Sequence, residues 1–141
     1  MPRILIIDDE APVREICASI LTLAGHQVTT AADGFEGTNQ VRREAPDLIL
    51  LDLSMPYGGL PTLRVVRGQC PDVPIIAMSG SRSAQLELAA GLGAQRILAK
   101  PFAPEALVRA IADLLRETEK KSPGADPRPE IPRPPFASIA E

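Results

Sequence analysis

Five short apolar runs, separated by longer segments of helical periodicity, constrain the fold of this chain more than any other feature of its sequence. The runs cover residues 4–7, 28–30, 48–51, 75–78 and 97–99. Apolar runs of this length, bounded by polar or turn residues, are typical of strands in a parallel sheet that is covered on both faces. The alternation therefore predicts a doubly wound α/β domain with five parallel strands, and right-handed crossovers place helices on both faces.

The segments between the runs predict five helices. Pro12 suits the first turn of the first helix and Gly25 its end, while Asp33 is the predicted N-cap of the second. Gly37 weakens that second helix, because glycine in a helix interior costs about 1 kcal/mol relative to alanine. The remaining helices are predicted over about 60–68, 83–91 and 104–117. The apolar face predicted for the first helix consists of Val13, Ile16, Cys17, Ile20 and Ala24.

The length of the chain allows one folded domain with an aliphatic core. It has 141 residues, of which 45% are hydrophobic and only 3% aromatic, and single domains usually have roughly 100–150 residues. The predicted domain covers residues 1–117. The last 20 residues contain six prolines and no hydrophobic periodicity, so residues 118–141 are predicted to be a flexible Pro-rich tail.

Charge and composition exclude several classes of protein. A net charge of −3 without a clustered basic surface argues against nucleic-acid binding. The N-terminus does not resemble a signal peptide, and no apolar run approaches the ~20 residues of a membrane span. Cys17 and Cys70 have neither metal-ligand spacing nor the density of a disulfide framework. We therefore expect a cytoplasmic protein with reduced thiols.

Charged and polar side chains follow the predicted strands at the point where each strand ends. Ligands of open α/β sheets bind beyond the carboxyl ends of the strands, where the strand order reverses. If the first and third strands are neighbours, one crevice therefore receives three carboxylates, a hydroxyl and an ammonium. These groups belong to Asp8, Asp9, Asp52, Ser79 and Lys100.

This acidic cluster needs a counter-charge. Two carboxylates 4 Å apart repel by about 4 kcal/mol at an effective dielectric constant of 20, and the cluster contains three of them. Lys100 supplies one positive charge. Oxygen ligands suit a hard divalent ion, and Mg²⁺ prefers one or two carboxylates together with waters and a phosphoryl oxygen. Zinc and copper are poor candidates, because the cluster offers no histidine or cysteine.

The strings "ILIIDDE", "LILLDLSMP", "IIAMSGS" and "AKPF" occur in an order and spacing that resemble the receiver domain of two-component response regulators. The resemblance covers residues 3 to about 117. It implies a flavodoxin-like fold with strand order 2-1-3-4-5, a bound Mg²⁺ and a cis peptide bond between Lys100 and Pro101.

The same resemblance implies a role for each residue of the cluster. Asp52 corresponds to the phosphoacceptor and Lys100 to the lysine that binds the phosphoryl group, while Ser79 corresponds to the switch hydroxyl. Asp8, Asp9, Asp52 and the backbone carbonyl of Ser54 correspond to the metal ligands. These roles are chemically reasonable, because a carboxylate can attack phosphorus to form an acyl phosphate.

The predicted function is a phosphoacceptor module that signals by protein contact. The resemblance implies a sensor histidine kinase or a phosphotransfer protein as donor and a downstream protein as target. We expect no enzyme activity beyond the chain's own phosphorylation and dephosphorylation. The tail is too short for an output domain, so the chain is predicted to act alone. The alternative is that the tail leads to a further domain in a longer protein.

Three other functions stay open. The chain could be a relay or phosphate sink, or a degenerate receiver that binds partners without phosphorylation. An Asp-nucleophile phosphatase of the haloacid dehalogenase type is disfavoured, because Ser54 occupies the position where that chemistry requires a second aspartate.

The sequence also departs from the family pattern. Ile97 occupies a position that is often aromatic in the family and that couples to the switch hydroxyl there. The loop "SMPYGGLP" reaches Gly59 one residue sooner than usual. We expect Gly58 and Gly59 to loosen it, because glycine adopts backbone conformations that other residues rarely adopt. The only histidine, His26, is predicted at the surface and away from the acidic cluster, so it does not predict a histidine phosphodonor.

Overall fold

Strands and helices alternate along the part of the chain that the computed structural model describes, which is residues 1–55, 58–80 and 83–121. The strands are β1 (Arg3–Ile7), β2 (Gln27–Ala31), β3 (Leu48–Asp52), β4 (Ile75–Ser79) and β5 (Arg96–Ala99). The helices are α1 (Ala11–Leu23), α2 (Gly34–Arg43), α3 (Gly59–Gln69), α4 (Ser83–Gly91) and α5 (Pro104–Lys121). Helix α5 continues four residues beyond its predicted end, and the rest of the predicted tail, 122–141, lies outside the described residues.

The strands form one parallel sheet in the order β2-β1-β3-β4-β5. The predicted doubly wound, flavodoxin-like fold is therefore confirmed. Strand β3 lies at the centre, and every residue of β3 and β4 is buried. The edge strands β2 and β5 alternate between more and less exposed residues. The chain reverses its direction of travel across the sheet between β1 and β3, and this is where a ligand site is expected.

Helices cover both faces of the sheet with aliphatic side chains. On one face, Val41 of α2, Leu63 and Val66 of α3 and Ala89 of α4 belong to one buried cluster with the sheet. On the other face, α1 and α5 pack on the alternate residues of the same strands. Because side chains alternate along β1, β3 and β4, the sheet has one apolar core on each face. The two cores together hold the strands, and therefore their carboxyl ends, in place.

The buried face of helix α1 is not the one that was predicted. Cys17 and Leu21, one helical turn apart, are its buried residues, whereas Ile16 is 60% exposed. The prediction of Ile16 as a core residue was therefore wrong, because it lies on the flank of a stripe centred on positions 17 and 21. Gly25 adopts a positive φ of 99° just beyond the helix, as predicted for the residue that ends it.

Helix α2 begins as predicted, and its glycine has a structural purpose. The Asp33 side chain accepts a hydrogen bond from the backbone N–H of Glu36 at 2.8 Å. Gly37 is buried, and a Cβ atom there would lie 2.6 Å from Cδ1 of Ile7. Glycine at this position lets α2 approach β1, so it does not simply weaken the helix.

The glycines after β3 also serve close packing. Gly58 has a φ of 124°, which side chains other than glycine rarely adopt. A Cβ on Gly59 would lie only 2.3 Å from Cα of Leu53. The expectation that both glycines loosen the loop is therefore wrong for Gly59, whose backbone packs directly on the residue after Asp52. Pro56 and Tyr57 of this loop lie outside the described residues.

The remaining predictions concern the thiols, the histidine and membranes. Cys17 and Cys70 are buried free cysteines on opposite faces of the sheet, and burial raises the pKa of both thiols. His26 is half-buried rather than fully exposed, and its Nδ1 has no hydrogen-bond partner among the described residues. Among those residues, no helix is both long enough and apolar enough to cross a membrane.

Candidate functional site

The acidic cluster lies where the two central strands end. Asp8 directly follows β1, and Asp52 is the last residue of β3. Because β1 and β3 are hydrogen-bonded neighbours, their carboxyl ends bring these side chains together. Carboxylate oxygens of Asp8, Asp9 and Asp52 all lie within 4.8 Å of one another. The predicted convergence of the three aspartates therefore occurs.

Two of the three carboxylates are removed from solvent. Asp8 is 0% exposed and Asp52 is 1% exposed, whereas Asp9 is exposed. The burial follows from the fold, because the apolar strands that precede Asp8 and Asp52 lie at the centre of the sheet. Bulk water solvates neither carboxylate, so partners within the protein must compensate both of them.

Lys100 supplies the positive charge of the cluster. Its Nζ lies 3.1 Å from Oδ2 of Asp8, 3.4 Å from Oδ1 of Asp52 and 3.8 Å from Oε1 of Glu10. Its backbone N–H donates to the carbonyl of Ser79 at 2.9 Å, which ties the end of β5 to the end of β4. The Lys100–Pro101 peptide bond is cis, as the resemblance implied.

The cluster raises the pKa of both Asp52 and Lys100, but for different reasons. Burial raises the pKa of Asp52, and the charge of Asp8 raises it further, while the N–H of Ser54 and the ammonium of Lys100 act against this increase. Burial by itself would lower the pKa of Lys100, but the hydrogen bond to Asp8 and the charges of Asp52 and Asp8 outweigh it and raise that pKa. The ammonium is therefore retained, and Asp52 is the acid whose ionisation the site disfavours.

Backbone contacts fix the loops that carry the carboxylates. Oδ1 of Asp8 accepts from the backbone N–H of Glu10 at 2.9 Å, and Oδ1 of Asp52 accepts from the N–H of Ser54 at 3.0 Å. The guanidinium of Arg14 donates to the backbone carbonyl of Asp8 at 2.8 Å. The sequence analysis missed Arg14, because no periodicity or motif distinguishes an arginine that turns back to a carbonyl six residues earlier.

The donor set fits a hard divalent cation. Three carboxylates face one lysine, and the candidate ligand atoms are all oxygens. This excess of negative charge in a partly buried pocket suits Mg²⁺, which combines one or two carboxylates with waters and a phosphoryl oxygen. Among the described residues, no histidine or cysteine belongs to the cluster, which disfavours zinc and copper.

The other predicted site residues adjoin the cluster. Ser79 ends β4 next to β3 and is 1% exposed. Ser54 is exposed and lies in the loop after β3, and the role of its carbonyl as a metal ligand stays a prediction. Ile97 pairs in register with Ala77 on β4 and is 38% exposed. A branched aliphatic side chain thus stands at the edge of the sheet where the family often has an aromatic ring.

Comparison with known proteins identifies the family. The model for the response regulator receiver domain matches residues 4–112, and the chain therefore belongs to the response regulator receiver domain family of two-component signalling. It is 40% identical over 129 residues to the probable transcriptional regulator ycf27 of Porphyridium aerugineum, covering 85% of this chain and 50% of that protein. It is 39% identical over 120 residues to the response regulator MprA of Mycobacterium tuberculosis, covering 83% of this chain and 52% of that protein.

Solved structures agree with this assignment. A CheY-like receiver domain protein from Methanospirillum hungatei superposes with a TM-score of 0.83 at 28% identity, over 86% of this chain and 99% of that one. The chemotaxis protein CheY4 of Vibrio cholerae gives a TM-score of 0.76 at 31% identity, over 80% of this chain and 98% of that one. The chain spans about half the length of the curated relatives that it matches.

Proposed function

We propose that this receiver domain accepts a phosphoryl group on Asp52 from a phosphohistidine of a sensor kinase or phosphotransfer protein. The observation that carries the proposal is the position of Asp52. It is a buried carboxylate at the end of the central strand, within 4.8 Å of two other aspartates and 3.4 Å from Lys100. The family assignment supports the same chemistry.

In the proposed reaction, a carboxylate oxygen of Asp52 attacks phosphorus and forms an acyl phosphate. The phosphorus–nitrogen bond to the donor histidine breaks, and the imidazole nitrogen keeps the electron pair. Asp8, Asp9, Asp52 and the carbonyl of Ser54 would hold the metal. When bound, Mg²⁺ neutralises charge on the transferred group and orients it.

Lys100 and Ser79 act on the product. The ammonium of Lys100 lies near both buried carboxylates, from which it can pair with a phosphoryl oxygen that Asp52 acquires. We propose that the hydroxyl of Ser79, at the end of the neighbouring strand, donates to another phosphoryl oxygen. These contacts move Ser79 and β5, and a downstream protein in the cytoplasm binds the altered surface. We expect Ile97 to change how this shift is transmitted, because it lacks an aromatic ring.

Phosphorylation of Asp52 can be tested with a small donor. The full chain is incubated with Mg²⁺ and acetyl phosphate and followed by intact mass spectrometry. We expect one labile phosphoryl group on the wild-type chain and on Asp47→Asn, and none on Asp52→Asn. Asp47 is a matched control, because it stands just before β3 and binds the backbone N–H of Arg3 at the opposite edge of the sheet.

Other outcomes would identify a different function. If neither acetyl phosphate nor a phosphorylated kinase modifies the chain, the proposal fails and a degenerate receiver that binds partners without phosphorylation takes its place. Rapid multiple turnovers on phosphate esters would instead show a phosphatase. A phosphoryl group that passes on to a second histidine protein would assign the chain to a relay.

A further inference from the structure

Two of the three aspartates of the cluster are joined by one peptide group, and the structure holds that group differently from its counterpart after β3. At Asp52, the peptide to Leu53 is tied into the sheet, because the N–H of Leu53 donates to the carbonyl of Met78 at 2.8 Å. The N–H of Asp9 makes no such bond within the described part of the chain. No neighbouring strand therefore holds the peptide between Asp8 and Asp9 at its N–H.

Arg14 holds this peptide instead, from helix α1. Its Nη1 donates to the carbonyl of Asp8 at 2.8 Å, and no other described group donates to that oxygen. Asp8 is also fixed at its N–H, which donates to the carbonyl of Ala31 at 3.1 Å, and at its carboxylate, which accepts from Glu10. Because a peptide group is planar and rigid, a bond to the carbonyl of Asp8 also restricts the direction in which the chain continues to Asp9.

The Asp9 carboxylate takes its position from this backbone. The side chain is exposed, and among the residues that the structure describes it forms no hydrogen bond or salt bridge. One of its oxygens nevertheless lies within 4.8 Å of an oxygen of Asp8 and one of Asp52. Because no partner of the side chain holds it there, the direction of the backbone at residue 9 brings this carboxylate into the cluster.

Arg14 does not act as a counter-ion of the cluster. None of the salt bridges between described residues includes it, and its donor binds a neutral carbonyl. Lys100 is the cation that lies against the buried carboxylates. Loss of Arg14 would therefore affect a divalent cation in two opposite ways. The loss of a nearby positive charge would strengthen binding, whereas the loss of orientation would weaken it.

We propose that Arg14 is a positioning residue of the metal site, which orients the peptide between Asp8 and Asp9 and thereby directs the Asp9 carboxylate towards the other two. The inference rests on the metal site of the proposed function. Hydrogen-bond partners that orient metal ligands typically change metal affinity by about 10–100-fold. We therefore expect the loss of orientation to outweigh the gain from the lost charge.

Binding of Mn²⁺, which suits the same oxygen ligands as Mg²⁺, tests the proposal without a phosphoryl donor. The ion is titrated into the full chain, and the unbound fraction is measured by electron paramagnetic resonance. We expect the dissociation constant to rise by about tenfold in Arg14→Met. The rise should be smaller in Arg14→Lys, which retains a donor on a shorter side chain. Arg109→Met, which removes a charge from the exposed side of α5, should bind as the wild-type chain does.

A double-mutant cycle shows whether Arg14 acts through Asp9. Asp9→Asn should weaken binding by itself, because it removes a charged ligand. In that background, Arg14→Met should change the dissociation constant by no more than about twofold, since the carboxylate that Arg14 directs is gone. Far-ultraviolet circular dichroism verifies that each variant is folded, and Arg14→Gln takes the place of Arg14→Met if the latter does not fold.

Three results would overturn the proposal. The first is an Arg14→Met variant that binds Mn²⁺ as tightly as the wild-type chain or more tightly, as the loss of charge alone predicts. The second is an equal loss of affinity with and without the Asp9 carboxylate, which would mean that Arg14 acts on another part of the site. The third is a wild-type chain that binds no Mn²⁺. Only this third result also removes the proposed metal site, so the two failures are distinguishable.

Discussion

The two edges of the sheet surround their charged side chains in different ways. At the carboxyl edge, where the strands end, Asp8 and Asp52 are buried beside a single ammonium from Lys100. At the amino edge, where the strands begin, the hydrogen-bond acceptors of the half-buried Arg67 guanidinium are neutral oxygens. It donates to the carbonyls of residues 70, 71, 73 and 93 and to Oε1 of Gln95, at 2.7–3.3 Å.

At the amino edge the charged group already has its partners within the protein. At the carboxyl edge the charged groups still lack a full set of partners, which a ligand can supply. Arg67 joins the end of α3 to the loops before β4 and β5, and these protein oxygens accept from both of its terminal nitrogens. The carboxylates at the other edge repel each other, and among the described residues they outnumber the one cation close to them, Lys100. A charge that protein oxygens satisfy therefore does not mark a functional site, whereas several buried like charges that repel one another do. Three predictions test this comparison.

Removing the cation of the carboxyl edge should have the largest effect. Lys100→Met retains most of the apolar stem but leaves two buried carboxylates without a counter-charge, which we expect to lower the free energy of unfolding by about 3–5 kcal/mol. Urea denaturation followed by circular dichroism in the presence of EDTA measures it. Added Mg²⁺ should recover part of the loss, because the variant retains the oxygen ligands. A loss below about 1 kcal/mol, or no recovery with Mg²⁺, would mean that the buried carboxylates do not need a cation beside them.

Removing the cation of the amino edge should have a smaller effect that no metal reverses. Arg67→Met removes the donor of the partly buried carbonyls of Val73 and Gly93, and unsatisfied groups of this kind cost about 1–3 kcal/mol each. Because water reaches some of them, we expect a total loss of about 2–4 kcal/mol. The same urea experiment applies, with Arg109→Met, an exposed arginine of α5, as the control. Recovery of Arg67→Met by Mg²⁺ would contradict the distinction between the two edges.

Removing one acid from the carboxyl edge should stabilise the domain slightly. In EDTA at neutral pH, Asp52→Asn should raise the free energy of unfolding by about 1 kcal/mol, because a buried charge disappears while the lost attraction to Lys100 offsets part of the gain. The gain should depend on pH. The folded-state pKa of Asp52 is raised, so its proton stabilises the folded state at low pH, and this stability is lost as the pH rises through that pKa.

The difference between wild type and Asp52→Asn should therefore vanish below about pH 4, near the ordinary pKa of aspartate, and grow towards neutral pH. Unfolding curves at several pH values measure it. A difference in the free energy of unfolding that is constant with pH, or that decreases as the pH rises, would show that the site does not disfavour the ionisation of Asp52. Asp47→Asn again serves as the control, because Asp47 lies at the opposite edge of the sheet, where it accepts from the backbone N–H of Arg3.

The sequence predicted the fold and the cluster because both depend on where strands end. Each strand lies within one residue of its predicted bounds, and parallel strands necessarily bring their carboxyl ends to one edge. Contacts between elements were not predictable in the same way. Whether Gly37 weakens α2 or admits Ile7 depends on the distance between α2 and β1, and periodicity contains no such distance. Arg14 and Arg67 were missed because a side chain that binds backbone carbonyls leaves no pattern in the sequence.

The contact between Lys100 and Asp8 joins residues that are 92 positions apart. During synthesis, which proceeds at about 5–20 residues per second, both buried aspartates leave the ribosome well before the lysine that balances them. A nascent or cleaved chain that lacks β5 would have to hold its carboxylates together without that cation. The acidic site can therefore form with its counter-charge only after β5 and Lys100 have been synthesised. Its completion distinguishes a chain that has reached Lys100 from every shorter N-terminal fragment.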